Sequence, residues 1–501
     1  MSTAKSIINV NLIVFVALLI GVANNIAIAG FFGLTRLVDA YYAAYVLPAL
    51  IMGMFVDFLG KNFLPAFSVL KKERGEQADK LTSSLVNIVF FIAAVMALLL
   101  SVYAKDIFSL ILPGFSDTEL SDTANMFWIM APAIMLMAVN TFHIYVCQYY
   151  GKYVHVVLCR LALPVALLCS IFFGRHVLGE YALPFGLLLG NIIMFIFLAY
   201  MADYRYQFIA DYKSAHMKQI FINSGILMST GIIARSRIII ERYFGSMLDA
   251  GAISSMAMAD RLCTPLHHSA TIGVRMIAFT KASKLYADQK LKEIGLLHND
   301  ALITIFLMIV PVVVWIAYHS SQIIILLFMR GNFTSDMHHM VTMALLGLLP
   351  AVIARSTIQI MSNVFYANNK VAVPAILGIA GTLLYLVCAY PLSNAYGVLG
   401  LAIAQSISFI VAFFVLILLL NSELEWFSAA KVLGKLLFYL AVSGVSVWVA
   451  AHMAESIKVY YIFQLVISFI LGSLLYIALL AVMKDYGFMY IKEKLFSTDI
   501  G

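Results

Sequence analysis

The sequence predicts an all-α polytopic membrane protein with about fourteen transmembrane helices, and three observations carry that prediction. Of its 501 residues 63% are hydrophobic and only 11% charged, whereas soluble domains are roughly 45–50% apolar and about 25% charged. Apolar runs at 7–23, 88–100, 302–316, 409–420 and 461–480 approach or reach the roughly 20 residues a bilayer-crossing helix needs. The two halves of the chain also repeat one another. By length the chain could hold about three soluble domains, but apolar material runs from end to end at a mean hydropathy of +0.97. Most soluble-enzyme readings are thereby excluded.

The N-terminus comes first. Lys5, an apolar run and Ala27-Ile28-Ala29 imitate a cleaved signal. The run is too long, Asn24-Asn25 interrupts it, and the segment has a counterpart in the second half, so it is expected to stay as span 1. The hydrophobic-run criterion then places spans near 7–34, 40–68, 83–103, 126–150, 155–173, 182–202, 219–245, 252–282, 299–317, 340–366, 371–391, 396–420, 431–452 and 460–484. No stretch is long and polar enough for a separate soluble domain. With the N-terminus inside, inside loops hold nineteen Lys and Arg and outside segments five, namely Arg36, Lys105, Arg175, Arg330 and Lys458. That bias obeys the positive-inside rule and puts both termini in the cytoplasm. The formal charge of +7 therefore speaks of orientation, and no nucleic acid is expected as a partner.

The repeat fixes the organisation. Phe31-Phe32-Gly33 recurs as Tyr243-Phe244-Gly245, and Leu110–Asp117 recurs as Leu326–Asp336. Pro132 recurs as Pro350, and Tyr149-Tyr150 as Phe365-Tyr366, each pair about 212–218 positions apart. The offset spans six helices, an even number, so the copies share one orientation: parallel repeats about an axis along the membrane normal, with a central cavity. The expected domains are an N-terminal six-helix bundle (1–218), a C-terminal six-helix bundle (219–422), and spans 13 and 14 with a cytoplasmic tail (423–501).

Charges inside the spans are the candidates for function. Eight are basic (Lys61, Arg160, Arg235, Arg237, Arg242, Arg261, Arg275, Arg355) and three acidic (Asp57, Glu241, Asp260), with Asp39 at a helix mouth. A central Arg or Lys costs about 2.5–3.5 kcal/mol even on the lenient insertion scale. Asp57 with Lys61 and Arg237 with Glu241 are spaced i,i+4 and share a face, so each can pair. Asp260 and Arg261 are adjacent and point about 100° apart, which suits a closed pair less well. Arg160 and Arg275 lie near cytoplasmic ends and can snorkel. Arg235, Arg242, Arg261 and Arg355 outnumber the carboxylates, and guanidinium forks suit phosphate oxygens. The bland alternative is that all of them form inter-helix salt bridges.

Weaker signals have bland readings as well. The five cysteines fall in apolar stretches without a CxxC or a His/Cys cluster, so buried inert thiols are expected, with neither disulfide nor zinc. His267-His268 is an incidental polar patch rather than a metal or proton site. Asn24, Asn25 and Gln359 could meet a cation or a sugar, or hydrogen-bond between helices. Lys71–Lys80 is a solvated loop. There is no Walker A sequence and no GxSxG elbow. The protein is not expected to be an enzyme or to need a cofactor, and uphill transport would draw on Na+, H+ or the membrane potential.

Several segments resemble the MurJ (MviN) lipid II flippase family of the MOP exporter superfamily. "TRLVDAYYAAYVLPAL" (35–50) resembles that family's DAFxxAFxLPxL segment, and "MADRL" (258–262) its ADRL segment. "LLFMRGNFT" (326–334) resembles its LFxRGxF loop, and "VFYANNKVAVP" (364–374) its FYAxxDxxTP turn. The resemblance covers the first twelve spans. It implies a fourteen-helix V-shaped fold of two bundles, alternating access by rocking, and an undecaprenyl-pyrophosphate-linked saccharide as substrate. It carries over one arginine, Arg261. Where the family has an Arg-Asp pair on span 1 this chain has Asn24-Asn25, and where it has arginine after LPxL this chain has Met52-Gly53. Its cations sit instead on span 7.

The expected function is an inner-membrane flippase for lipid II or a related envelope polysaccharide precursor. Arg235, Arg242, Arg261 and Arg355 are expected to hold the pyrophosphate, and Asn24 and Asn25 to meet substrate. Asp39, Asp57, Lys61, Arg237, Glu241 and Asp260 are expected to gate or pair. The rivals are a MATE-like cation-coupled exporter, which would favour cavity carboxylates, and a non-transporting scaffold of a glycan-synthesis complex. A membrane-bound transferase is a weaker third.

Overall fold

A computed structural model describes residues 3–54, 59–73, 75–212, 214, 216–222, 224, 235–288, 290–368, 370, 372–457 and 460–489. Its elements are helices. The first half has α1 (Thr3–Phe32), α2 (Arg36–Ala44), α3 (Val46–Met54), α4 (Lys61–Glu73), α5 (Gly75–Val102), α6 (Ala104–Ile111), α7 (Asp117–Tyr149), α8 (Tyr153–Arg160), α9 (Ala162–Leu178) and α10 (Ala182–Met201). The second half has α11 (Arg237–Ser246), α12 (Ala252–Ala287), α13 (Leu291–Tyr318), α14 (Ser320–Phe328), α15 (Ser335–Ala367), α16 (Ala372–Glu423), α17 (Ala429–Ser456) and α18 (Tyr461–Val482).

Nine stretches among the described residues are long and apolar enough to cross a membrane. Two of them, Tyr153–Met201 at 49 residues and Ala372–Glu423 at 52, have length for two crossings each. The expected count of fourteen needs those two counted twice. It also needs three segments that miss the criterion: 36–73, 219–246 and 252–287. The first two are interrupted by residues outside the description, and the third carries Asp260, Arg261 and Arg275.

The repeat is visible in the elements themselves. Helices α5 and α13 are both 28 residues long, and α7 and α15 are both 33 residues long. Pro132 and Pro350 lie inside α7 and α15. Gly179, at the turn after α9, has φ 56 and ψ −136, and Gly397, at the kink inside α16, has φ 57 and ψ −132. A conformation that side chains disfavour thus recurs 218 positions on, with glycine at both places.

The chain divides into two compact units: Met1–Ala257 with Arg330–Met337, and Met258–Met329 with His338–Gly501. This partition follows contact rather than sequence repetition, and it differs from the repeat-based domains 1–218, 219–422 and 423–501. In the first unit α7 is the central helix, packed by α2, α5 and α10, with Phe127, Met130, Ile134 and Phe142 buried along it. Helices α9 and α10 meet through Gly186 and Gly190, a small-xxx-small pair. A Cβ at either would sit 2.8 Å from the Cα of Leu167 or of Leu163. Such close approach suits helix packing in lipid, where dispersion and backbone proximity replace the hydrophobic effect.

In the second unit α17 packs on α13 and α18. Beyond α18, Asp485 pairs with Lys435 and accepts a hydrogen bond from the Tyr439 hydroxyl (2.8 Å), fastening the chain end to α17. The cysteines correct one expectation. Cys147, Cys159 and Cys263 are buried and Cys388 is intermediate, but Cys169 is exposed on the surface of its apolar helix. In a bilayer protein an apolar run has an outer face as well as an inner one.

Candidate functional site

Helix ends explain the best-defined polar site. The last carbonyls of a helix lack intrahelical partners, and in the first unit two helix ends find theirs on loops of the other repeat. Helix α1 ends at Phe32, followed by Gly33 at φ 71 with its N–H on the Ala29 carbonyl (3.0 Å). The exposed carbonyls of Gly30 and Phe31 accept from the Asn332 backbone N–H (2.9 Å) and from its side-chain amide (2.7 Å). Helix α11 ends at Ser246. The Ser246 carbonyl accepts from the Arg36 guanidinium (3.5 Å), as does the Leu248 carbonyl (2.8 Å). The Ser246 hydroxyl in turn accepts from the Gly114 N–H (3.2 Å). A cation also complements the negative end of a helix dipole.

These are two versions of one contact. The 326–336 loop holds Phe31-Phe32-Gly33, and the equivalent 110–117 loop holds the end of Tyr243-Phe244-Gly245. Between them, residues meet their own repeat counterparts. Arg36 bonds Leu248, and Asp39 accepts from the Gly251 N–H (2.8 Å), both across 212 positions. A residue that touches its own symmetry mate lies on the axis, as in an isologous dimer. Asp39 also accepts from the N–H of Ser254 (2.8 Å) and from its hydroxyl (2.7 Å), so it caps the start of α12. Arg36 further approaches Glu119 (3.5 Å) and Asp39 (3.9 Å) and lies over the Phe115 ring. All this sits at the C-terminal end of α5 and the N-terminal end of α7; the Lys71–Lys80 stretch, expected as a solvated loop, lies at the other end of α5 and is helical in its described residues, with Lys71 paired to the buried Asp79 (2.7 Å).

The arginines fall into one group per unit. In the first, Arg235 is half-buried and its guanidinium lies against Gly53 of α3. Arg237 and Glu241 are half-buried on α11. Arg242 is 5% exposed, ion-paired to Glu241, with a further contact to the Ile253 carbonyl (3.5 Å). Sequence spacing had matched Glu241 with Arg237; the structure also sets it against its immediate neighbour, because the two side chains bend round to one another in a buried place. In the second unit Arg355 bonds Asp260 (2.9 Å) from α15 to α12 and lies over the Phe409 ring. Arg261, next to Asp260, is half-buried. Arg242 and Arg355 were expected among the surplus cations; both are answered by carboxylates.

Asn24 and Asn25 are buried, and the Asn24 amide donates to the Pro164 carbonyl (2.9 Å). That bond ties α1 to α9, the helix-to-helix role weighed against substrate contact. With the repeat offset of 212, Arg237 is the counterpart of Asn25. The Asp57–Lys61 pair lies outside the described residues, as Asp57 does entirely and Lys61 does in its side chain. Arg160 is exposed, consistent with a snorkelling end. No group of three or more metal-ligating side chains occurs among the described residues.

Sequence reasoning missed Arg36, Ser246, Gly251 and Ser254. Arg36 had been counted as an outside loop charge. The available signal was its offset of 212 from Leu248, at the place where the axis must pass.

A polytopic all-α chain of two parallel repeats that carries arginines within its spans has the architecture of a repeat-built membrane transporter. The sequence profile of the family described as "Lipid II flippase MurJ" matches residues 28–480. The chain belongs to the MurJ lipid II flippase family. A "Probable lipid II flippase MurJ" of Buchnera aphidicola subsp. Acyrthosiphon pisum (strain APS) is 24% identical over 391 residues, 75% of each chain. A "Lipid II flippase MurJ" of Burkholderia cenocepacia is 22% identical over 76% of each chain. Among solved structures, a lipid II flippase MurJ in an inward closed conformation superposes with TM-score 0.81 at 20% identity, over 95% of this chain and 100% of that one. An inward-facing MATE family transporter of the MOP superfamily gives TM-score 0.69 at 15% identity, over 83% of this chain. The fold is therefore that of the MOP superfamily.

Proposed function

We propose that this protein flips lipid II, or a closely related undecaprenyl-pyrophosphate-linked saccharide, from the cytoplasmic to the outer leaflet of the bacterial inner membrane by alternating access. The family match across 28–480 is the observation that carries the reading. Arg235 in the first unit and Arg261 in the second are the leading candidates to meet the pyrophosphate. Arg242 and Arg355 sit beside carboxylates and serve the fold first. Coupling to Na+, H+ or the membrane potential supplies the driving force, and cell-envelope synthesis proteins are the natural partners. The MATE-like and scaffold alternatives are not favoured, since sequence relatives and the better structural match both point to lipid II flippases.

The test is lipid II translocation in proteoliposomes. Arg235→Ala and Arg261→Ala should each abolish it, and Lys at either place should restore only part, because an ammonium lacks the bidentate fork. Full activity in both alanine variants would move weight to the MATE-like reading. On this reading both termini lie in the cytoplasm. Cysteine at Gly75 or Asp288 should then be shielded from impermeant thiol reagent in intact cells, and cysteine at Ser116 or Ser335 labelled. The opposite pattern would overturn the orientation.

A further inference from the structure

Helices α5 and α10 each pack on α7 within the first unit, and the groove between them holds a cavity of about 800 Å³. That lies in the range of about 300–1,000 Å³ typical of small-molecule sites. Val139 and His143, buried on α7, form its floor. Phe90 and Phe91 stand exposed at the α5 rim, and Ala199 is exposed on the α10 side. The fourth side is a strap outside any helix, residues 203–211, of which Tyr204, Tyr206, Phe208 and Ala210 line the cavity.

Irregular backbone beside a membrane span needs partners for its polar groups, and a stripe on α5 supplies them. Asp79, Ser83 and Asn87 follow at i, i+4 and i+8 and share one face. The Arg205 N–H donates to Asp79 Oδ2 (3.3 Å), and the Gln207 N–H to the Ser83 hydroxyl (3.0 Å). The Asn87 amide donates to the carbonyls of Gln207 (3.2 Å) and Ile209 (2.8 Å), and its Oδ1 accepts from the Tyr206 hydroxyl (2.7 Å). Ser84 accepts from the Asp211 N–H (3.1 Å). Odd-numbered residues thus fasten their backbone to α5, while even-numbered ones line the cavity.

Two features name the occupant. The α5 lining, Val86–Ile92, covers roughly 9 Å of helical rise, within one leaflet of a hydrocarbon core roughly 30 Å thick. Because α5 is long and apolar enough to cross the membrane, its exposed phenylalanines open the cavity to acyl chains. The floor is polar at one point. His143 Nε2 meets the Tyr204 hydroxyl (3.1 Å), and its Nδ1 has no hydrogen-bond partner among the described residues. A buried polar nitrogen left unmet is costly, and an apolar ligand carrying one acceptor answers it. We propose that this cavity binds a resident glycerophospholipid. One acyl chain lies between α5 and α10 beside the strap, and its ester carbonyl accepts from His143 Nδ1–H while Nε2 accepts from the Tyr204 hydroxyl. The site holds a lipid that stays in one leaflet, and it does not rest on the transported substrate.

Photo-crosslinking of the full-length protein tests this, in phosphatidylethanolamine and phosphatidylglycerol vesicles doped with a phosphatidylethanolamine carrying a diazirine on one acyl chain. Adducts should concentrate on Phe90, Phe91 and Phe208 above the rest of the apolar surface. Ala199→Trp fills the groove from an exposed position and should lower those adducts about tenfold. Phe208→Ser, at an exposed side chain, should lower them without altering the melting temperature. An ether-linked probe of equal length should be captured about fivefold less than the ester-linked one, the worth of one hydrogen bond, and His143→Phe should abolish the difference. Adducts spread evenly over the apolar surface, or unchanged in Ala199→Trp, would show boundary lipid only and overturn the site. Equal capture of both probes by the wild type would overturn the His143 contact and the assignment to a glycerophospholipid. Displacement of the probe by undecaprenyl pyrophosphate, but not by unlabelled phospholipid, would replace the resident lipid with a polyprenyl chain and overturn the proposal. None of these readouts depends on transport, so the flippase reading stands or falls separately.

Discussion

The two clasps of the first unit solve one problem with different chemistry. Where α1 ends, its orphan carbonyls are met by an amide, Asn332, brought in by Gly331 at φ 62. Where α11 ends, they are met by a guanidinium, Arg36, while Gly114 donates to Ser246 without a left-handed backbone. The first clasp is backbone against backbone: a Cβ on Gly331 would collide with the Gly30 carbonyl. The second is built on charge, with Arg36 also reaching Glu119 and Asp39. Repeat symmetry preserves the positions of the contacts and leaves their chemistry free. Helix ends require acceptor satisfaction, and amide or guanidinium donors both provide it.

The largest effect should come from Gly331→Ala. The substitution combines a φ that L side chains disfavour with a backbone clash, and should cost about 2–4 kcal/mol. It would show as a large fall in melting temperature and in membrane abundance. Asp39→Ala comes next. It leaves two N–H groups without their acceptor and the Ser254 hydroxyl with only the Gly251 carbonyl (3.2 Å), a loss of about 2–3 kcal/mol, and faster hydrogen exchange at the start of α12 should report it. Gly114→Ala brings a Cβ to 2.5 Å from the Ser246 carbonyl carbon and 2.6 Å from the Met247 Cα. With no backbone strain added, about 1–3 kcal/mol is expected, so its melting temperature should lie above that of Gly331→Ala. The reverse order would show that the two clasps do not differ as described. Ser246→Ala, which removes one hydrogen bond to Gly114, should cost about 1 kcal/mol. A double cycle with Gly114→Ala should be non-additive.

Much of this fold was legible beforehand because bilayer helices announce themselves by length and apolarity, and because repeats such as Pro132/Pro350 recur at one offset. The Gly179/Gly397 pair could have been added from the same offset, since both are glycines. The site was less legible. Local spacing finds partners such as Arg237 and Glu241 on one helix, but it cannot see that Asp260 on α12 faces Arg355 on α15. Arg36 looked like a loop charge because its targets are carbonyls, which leave no mark on side-chain identity. Gly53 stood out in the sequence only as a place where the resembled family has arginine; that a guanidinium from elsewhere in the chain lies against it is visible only in the structure.

If the protein flips lipid II by alternating access, as proposed, the clasped end must open during transport. Asp117 and Met247 are exposed and flank the Gly114–Ser246 clasp. Spin labels at these two sites, in the reconstituted protein, report the gap directly by double electron–electron resonance. A single short distance is expected without substrate, and a second, longer population should appear on addition of lipid II and be lost in Arg235→Ala. A single short distance under every condition, while the labelled protein still translocates lipid II, would contradict the claim.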